Sequence, residues 1–245
     1  MLIERYAALI LRDELMCDAS SCTRQPPIVG DPWAVHPLTT SRLLAVAAST
    51  TVVAASGLLL TSPARASAAE PTLPAVNVAT SRVFIEGDSL TVGAATALRR
   101  RLKAHVRSVH IDAKVGRHTG EGVAKLRSAA AQRANIWVVA LGTNDDPSSS
   151  QTKRNVSRVL RLAGKDRRVI WVNVVRPGGY ARVNRALHDL DIHSEQLTVI
   201  DWAAVIRKKR DLLTGDRVHL TARGYRVRAE ATRSAILALR TPAAV

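Results

Sequence analysis

Residues 82–90 read Arg-Val-Phe-Ile-Glu-Gly-Asp-Ser-Leu, and this stretch decides the fold. Its apolar part, residues 83–85, predicts a short buried strand, and the residues that follow lead directly into a helix. Ser89 would therefore open a helix just after a strand. In that position its hydroxyl can be exposed, and its own N–H is one of the donors that a helix start leaves without a partner.

Outward from this stretch, further apolar runs alternate with amphipathic helical patterns. The five predicted strands are residues 83–85, 109–113, 136–141, 169–175 and 197–200. Between them, apolar residues recur at helical spacing, as in Val156, Val159, Leu160 and Ala163, and a last helix is predicted from Thr221 to about Leu239. Five strands and about five helices in alternation predict a parallel sheet with helices on both sides.

In such a sheet the functional groups lie just past the carboxyl ends of the strands. Four polar segments stand at these junctions or near the C-terminus: residues 86–90 (EGDSL), 114–117 (KVGR), 142–145 (GTND) and 216–220 (DRVHL). The Ser89 hydroxyl needs a base to become a nucleophile, and His219 could serve through Nε2. Asp216, three residues earlier, could accept from His219 Nδ1–H in a tight turn. Taken singly, such a serine is often a helix cap and such a histidine is often structural.

Taken together, these segments resemble the signature blocks of the SGNH/GDSL hydrolases, over residues 82–238. The resemblance implies a three-layer α/β/α sandwich with a five-stranded parallel sheet of the flavodoxin-like type. It also implies that Ser89, Asp216 and His219 are catalytic. The implied oxyanion hole comprises the Ser89 N–H, the Gly116 N–H and the Asn144 side-chain amide, although Gly116 and Asn144 could also be turn residues only.

Other polar residues near these blocks receive lesser roles. Asp88 and Asp145 are interpreted as helix-capping or supporting groups, because the triad is complete without them. His118 either lines the cleft or is an exposed loop histidine. The histidines outside the triad do not fall in metal-ligand spacings, so neither a metal nor another cofactor is predicted.

The composition narrows the class of partner. The chain has 245 residues, a formal net charge of +16 and 47% hydrophobic residues, which argues against global disorder. One Phe, three Tyr and four Trp offer few platforms for base stacking, so nucleic acid is not expected as a partner. The charge suits electrostatic association with an anionic cell-wall polymer, or it reflects an Arg-rich background. A monomer is expected.

Residues 39–68 have the layout of a signal peptide. Arg42 precedes an apolar, uncharged run that ends at Leu60, and cleavage is predicted after Ala66 or Ala68. A retained membrane anchor is the alternative. Residues 1–38, which contain both cysteines (Cys17 and Cys22), fit badly before a signal peptide and are interpreted as a doubtful extension, with a start at Val35 as one explanation. We expect a linker over 69–80, a hydrolase domain over 81–245, and a secreted or envelope-associated protein.

The predicted function is that of a secreted serine esterase that hydrolyses, or transfers, small O-acyl groups on cell-envelope carbohydrate through an acyl-enzyme. Residues 172–177, 183–187 and 199–202 look, more loosely, like the SGNH domains of wall-polysaccharide O-acyltransferases. Two alternatives stay open. One is a lipase or thioesterase acting on lipid esters, which the scarcity of large aromatic side chains disfavours. The other is a noncatalytic basic module that binds wall polymer.

Overall fold

The structure is a computed structural model, and it describes residues 76–239. The predicted extension over 1–38, the signal peptide over 39–68 and most of the linker over 69–80 lie outside the described residues, as do both cysteines and residues 240–245. The expectations for those segments stay predictions.

The described residues contain one five-stranded sheet in which every pair of neighbouring strands is parallel. Its strands are β1 (Arg82–Gly87), β2 (Ser108–Ala113), β3 (Ile136–Ala140), β4 (Arg168–Val172) and β5 (Leu197–Ile200). The spatial order β2-β1-β3-β4-β5 is that of flavodoxin-like sheets. The predicted fold class is therefore confirmed.

The fourth strand is shorter than the predicted range of 169–175. Pairing ends at Val172, and the next residues leave the sheet. The Asn184 side chain accepts from the Val174 N–H at 3.0 Å and donates to the Val174 carbonyl at 2.7 Å. A side-chain amide thus satisfies backbone groups that a longer strand would pair with its neighbour.

Seven α-helices and two short 3-10 helices lie within residues 76–239. The α-helices are α1 (Ser89–Leu102), α2 (Thr119–Lys125), α3 (Ala129–Gln132), α4 (Ser149–Ala163), α5 (Tyr180–Asp191), α6 (Trp202–Lys208) and α7 (Ala222–Ala238). The 3-10 helices are Val78–Thr80 and Arg210–Leu212. The count exceeds the predicted five because helices of four to seven residues are too short to show a clear apolar period.

Side chains from the two faces of the sheet enter two separate cores. Val83 and Ile85 of β1 pack with residues of α1, α6 and α7. Phe84, between them in sequence, belongs to the opposite core with Trp137 of β3 and residues of α2, α4 and α5. The sheet is thus covered on both sides, which gives the three layers.

The topology also fixes where a site can form. After β1 the chain forms β2 on one side of it, and then β3 on the other side. The strand order therefore reverses at β1. Ligands of open α/β sheets bind in the crevice at the carboxyl ends of the strands where the order reverses. The segments that follow β1, β2 and β3 lie at this edge.

No helix described between residues 76 and 239 is both long enough and apolar enough to cross a membrane.

Candidate active site

The start of α1 presents Ser89 at the end of β1. The Asp88 side chain caps the helix by accepting from the Leu90 N–H at 3.0 Å, and the Asp88 carbonyl accepts from the Val92 N–H at 3.0 Å. Gly87 is required by packing, because a Cβ there would lie 2.0 Å from the Thr91 Oγ1. Ser89 is half-buried, and its N–H donates to no group within the described residues. Asp88 is therefore the helix cap, which leaves Ser89 free for another role.

A continuous chain of hydrogen bonds joins Ser89, His219 and Asp216. The Ser89 Oγ lies 3.1 Å from the His219 Nε2, and the His219 Nδ1 lies 2.6 Å from the Asp216 Oδ2. An ionised carboxylate can only accept, so the proton of the neutral imidazole sits on Nδ1. Nε2 is then the acceptor for the Ser89 hydroxyl, which is the arrangement of a base beside a nucleophile.

The loop that carries Asp216 holds its carboxylate in the charged form. Oδ1 accepts from the Thr214 hydroxyl at 2.7 Å, the Val218 N–H at 3.0 Å and the His219 N–H at 2.9 Å. Oδ2 is left for the imidazole. The hydrogen bond from His219 and these further donors hold the pKa of Asp216 well below its usual range.

The same loop is anchored to α7, which places His219 over Ser89. The Thr214 N–H donates to the His219 carbonyl at 2.8 Å, and Leu213 forms an antiparallel bridge with Leu220. The Thr221 hydroxyl then caps α7. Because α7 packs against α1, a residue just before α7 reaches the start of α1 across 130 positions of sequence.

Gly116 and Asn144 follow β2 and β3, the two neighbours of β1. Gly116 lies in an exposed turn with φ of 75°, a left-handed conformation that favours glycine. The turn is closed by the Arg117 N–H, which donates to the Lys114 carbonyl at 3.2 Å. The Asn144 Nδ2 donates to the Arg117 carbonyl at 3.1 Å, so one of its two protons is used and the other can serve a ligand. Their role as oxyanion donors stays a prediction.

Asp145 and His118 tie these two loops together. The Asp145 carboxylate accepts from the Thr119 N–H at 3.0 Å and 3.3 Å, and the His118 Nδ1 lies 3.1 Å from its Oδ1. Asp145 therefore caps α2, whereas Ser148 caps α4, the helix that follows it in sequence. The side chain of His118 is 66% exposed, as in the exposed-loop interpretation.

The sequence analysis missed a buried charge cluster beside these loops. The Arg117 Nη1 donates to the Glu86 Oε1 at 2.5 Å and to the Asp112 carbonyl at 2.9 Å, and Nη2 donates to the Asp112 Oδ1 at 2.8 Å. The side chains of Glu86 and Arg117 are 0% and 4% exposed. One signal could have revealed the cluster: Glu86 ends an apolar central strand, and a buried carboxylate there requires a partner.

Two buried acids at this edge of the sheet are shifted toward their neutral forms. Burial raises the pKa of Glu86 to about 8, although the neighbouring Arg117 lowers it in opposition. Burial also raises the pKa of Asp88, against the opposing charge of Arg228. In both, the cost of removing a carboxylate from water exceeds the attraction of the nearby guanidinium.

The shift at Glu86 makes folding stability depend on pH. Because the folded protein favours neutral Glu86, this contribution is full below the ordinary pKa of 4.5 and is lost as the pH rises through about 8. We expect the free energy of unfolding to fall by about 3 to 5 kcal/mol over that window. Glu86→Gln, which mimics the neutral acid, should remove most of that slope in denaturant titrations at pH 5 and pH 8. An equal slope in both proteins would contradict this assignment.

Among residues 76–239, no cluster of three or more His, Cys, Asp or Glu side chains could hold a metal ion.

No family model and no curated protein matches the chain, so the comparison with known proteins rests on solved structures and shows the fold. Among solved structures it is similar to the C-terminal catalytic domain of peptidoglycan O-acetyltransferase A from Streptococcus pneumoniae, which carries a methylsulfonyl adduct, with 21% identity, a TM-score of 0.57, and coverage of 66% of this chain and 96% of that one.

Two further structures extend the likeness. A lipase/acylhydrolase from Enterococcus faecalis has 17% identity and a TM-score of 0.58, covering 68% of this chain and 100% of its own. A lipolytic protein of the G-D-S-L family from Veillonella parvula has 17% identity and a TM-score of 0.51, covering 62% and 96%. In each of these three comparisons the matched region covers at least 96% of the neighbour's chain, so the likeness extends over that protein's whole fold.

Proposed function

Because the chain has the fold of the SGNH/GDSL hydrolases, we propose that it is a serine esterase that uses Ser89, His219 and Asp216. The observation that carries the proposal is the unbroken hydrogen-bond chain from the Ser89 Oγ through His219 to Asp216. A helix cap needs neither the imidazole nor the carboxylate. The fold neighbours, which include lipolytic enzymes and an O-acetyltransferase domain, support an enzyme that acts on ester bonds.

The reaction follows from the placement of the groups. The Ser89 Oγ attacks the ester carbonyl carbon while its proton passes to the His219 Nε2, and the carbonyl oxygen becomes an oxyanion. That oxyanion would accept from the Ser89 N–H, the Gly116 N–H and the free Asn144 Nδ2–H. When the tetrahedral intermediate collapses, the alcohol leaves with the proton from His219 and the acyl group stays on Ser89.

The second half of the reaction decides between hydrolysis and transfer. Water, or a bound sugar hydroxyl, gives its proton to the His219 Nε2 and attacks the acyl carbonyl. The intermediate then releases Ser89, which recovers its proton. Asp216 stays ionised throughout and stabilises the imidazolium, because its low pKa keeps the proton on His219.

The substrate we propose is a small O-acyl ester on cell-envelope carbohydrate, met outside the cytoplasm. The signal-peptide layout of residues 39–68 supports export, and the net charge of +16 supports electrostatic association with an anionic wall polymer. The S. pneumoniae neighbour is the catalytic domain of a peptidoglycan O-acetyltransferase, and such an activity is compatible with this substrate.

Acyl-chain preference tests the substrate class. The purified protein should hydrolyse p-nitrophenyl acetate with a kcat/KM at least about 10-fold above that for p-nitrophenyl palmitate, since the described loops offer no long apolar insertion to enclose a fatty acyl chain. Initial rates at matched detergent concentration give the ratio. Preference for palmitate would move the function to a lipase or thioesterase. Turnover of neither ester would favour the noncatalytic wall-polymer module.

A further inference from the structure

Arg117 joins the chain segments from which the proposed oxyanion donors come. Its guanidinium is bonded to Glu86 of β1 and to both the side chain and the carbonyl of Asp112 of β2. Glu86 and Asp112 are register partners on the two neighbouring strands. Glu86 also precedes Ser89 by three residues, so the guanidinium is fixed near the carboxyl end of the strand that leads to the proposed nucleophile.

The backbone of Arg117 makes two further connections. Its N–H donates to the Lys114 carbonyl and closes the turn that contains Gly116, and its carbonyl accepts from the Asn144 Nδ2 at 3.1 Å. The Lys114 N–H donates in turn to the Gly87 carbonyl at 3.2 Å. A single residue therefore connects β1, the Gly116 turn and the Asn144 side chain.

Arg117 is also the one buried residue of the turn. Of residues 114–118, the other four are exposed, with Val115 at 68%. A Cβ built on Gly116 would meet no atom within 4 Å, so nothing packs against the turn at that point. The position of the Gly116 N–H therefore depends on the anchoring of its neighbour.

We propose, building on the esterase function above, that Arg117 is a positioning residue that holds the Gly116 N–H and the Asn144 amide in place for the oxyanion. The buried cluster is poorly suited to stability alone. Within the described residues, the Glu86 Oε2 and the Arg117 Nε are buried without a hydrogen-bond partner. Replacing buried, hydrogen-bonded charged groups by apolar ones often leaves stability unchanged or improved, so we assign this cluster to fixing geometry.

The test compares two identical substitutions in the full chain. Arg117→Met removes the guanidinium but keeps an apolar stem, and Arg101→Met does the same in another Arg–Glu pair, with Glu230. Arg101 lies near the far end of α1, about 18 Å along the helix from Ser89. Arg117→Met should lower kcat for p-nitrophenyl acetate about 30- to 100-fold with KM within about 3-fold, since the donors matter most in the transition state. Arg101→Met should change neither.

Two readouts separate positioning from a general loss of structure. Amide hydrogen exchange at Lys114 and Thr119, measured by NMR, should accelerate about 10-fold or more in Arg117→Met and not in Arg101→Met. Phenylboronic acid, whose tetrahedral serine adduct places an oxygen in the oxyanion hole, should bind more weakly by about the same factor as the loss of kcat/KM. Arg117→Lys, which keeps the charge without the planar fork, should recover part of both.

Each result has a fixed meaning. Unchanged exchange at Lys114 and Thr119 overturns the proposal, whatever the turnover, and so does a loss of kcat with unchanged boronic acid affinity. Failure of the esterase function itself appears separately, as absence of Ser89-dependent turnover in the unsubstituted protein. Accelerated exchange in that event would still support the anchoring of the turn by Arg117.

Discussion

Ser89→Ala is expected to lower kcat for p-nitrophenyl acetate by at least about 10⁴-fold, down to the rate that binding and the oxyanion donors alone can supply. The reason is chemical rather than structural. The Ser89 Oγ makes its hydrogen bond to the His219 Nε2, whereas the helix is capped by Asp88. Removing the hydroxyl therefore takes away the nucleophile and leaves the capping of α1 in place. Initial-rate kinetics with the purified variant measure the loss.

Ser128→Ala is the matched control. The Ser128 Oγ accepts from the Ala131 N–H at 3.3 Å and caps α3, so its loss should cost about 1 kcal/mol of stability without affecting turnover. Ser89→Ala should show the reverse, with a nearly unchanged Tm. Methanesulfonyl fluoride should modify the unsubstituted protein at Ser89, detected by peptide mass spectrometry. Turnover retained in Ser89→Ala, or a label on another serine, would refute the assignment.

The fold was predictable because most of its signals are local. Five apolar runs mark the strands, and periodic apolar residues mark the longer helices. The prediction was wrong beyond Val172, where the Asn184 side chain takes the backbone groups that a strand would pair. That contact joins residues ten positions apart through a side-chain amide, which a hydropathy pattern cannot register. Short helices such as α3 were missed because four residues show no period.

For the site, the sequence pointed to residues but not to their connections. The spacing of Asp216 and His219 suggested a local contact, which the loop geometry makes at 2.6 Å. The contact between Ser89 and His219 depends on how α7 packs against α1, so the sequence could offer His219 only as a candidate base, which the family resemblance then supported. The sequence did not predict the role of Arg117, because that role comes from carboxylates on two strands that are neighbours only in the folded sheet.

Asp216→Asn is expected to lower kcat/KM about 10³- to 10⁴-fold while leaving the fold intact. Oδ1 of Asp216 accepts from three donors of its own loop, and an asparagine oxygen can keep those bonds. Its NH₂ group would then face the His219 Nδ1 and donate to it. The imidazole must respond by carrying its proton on Nε2, so it donates to the Ser89 Oγ and can no longer accept the proton of the nucleophile.

Tautomer and activity can be measured on the same sample. Nitrogen NMR of labelled histidine should place the His219 proton on Nδ1 in the unsubstituted protein and on Nε2 in Asp216→Asn. Asp211→Asn is the matched control, because it removes an exposed carboxylate bonded to Arg223 with the same change in net charge. It should keep both tautomer and rate. If Asp216→Asn changed the tautomer without slowing hydrolysis, His219 would not be the base that activates Ser89, and the nucleophile would have to be activated in another way.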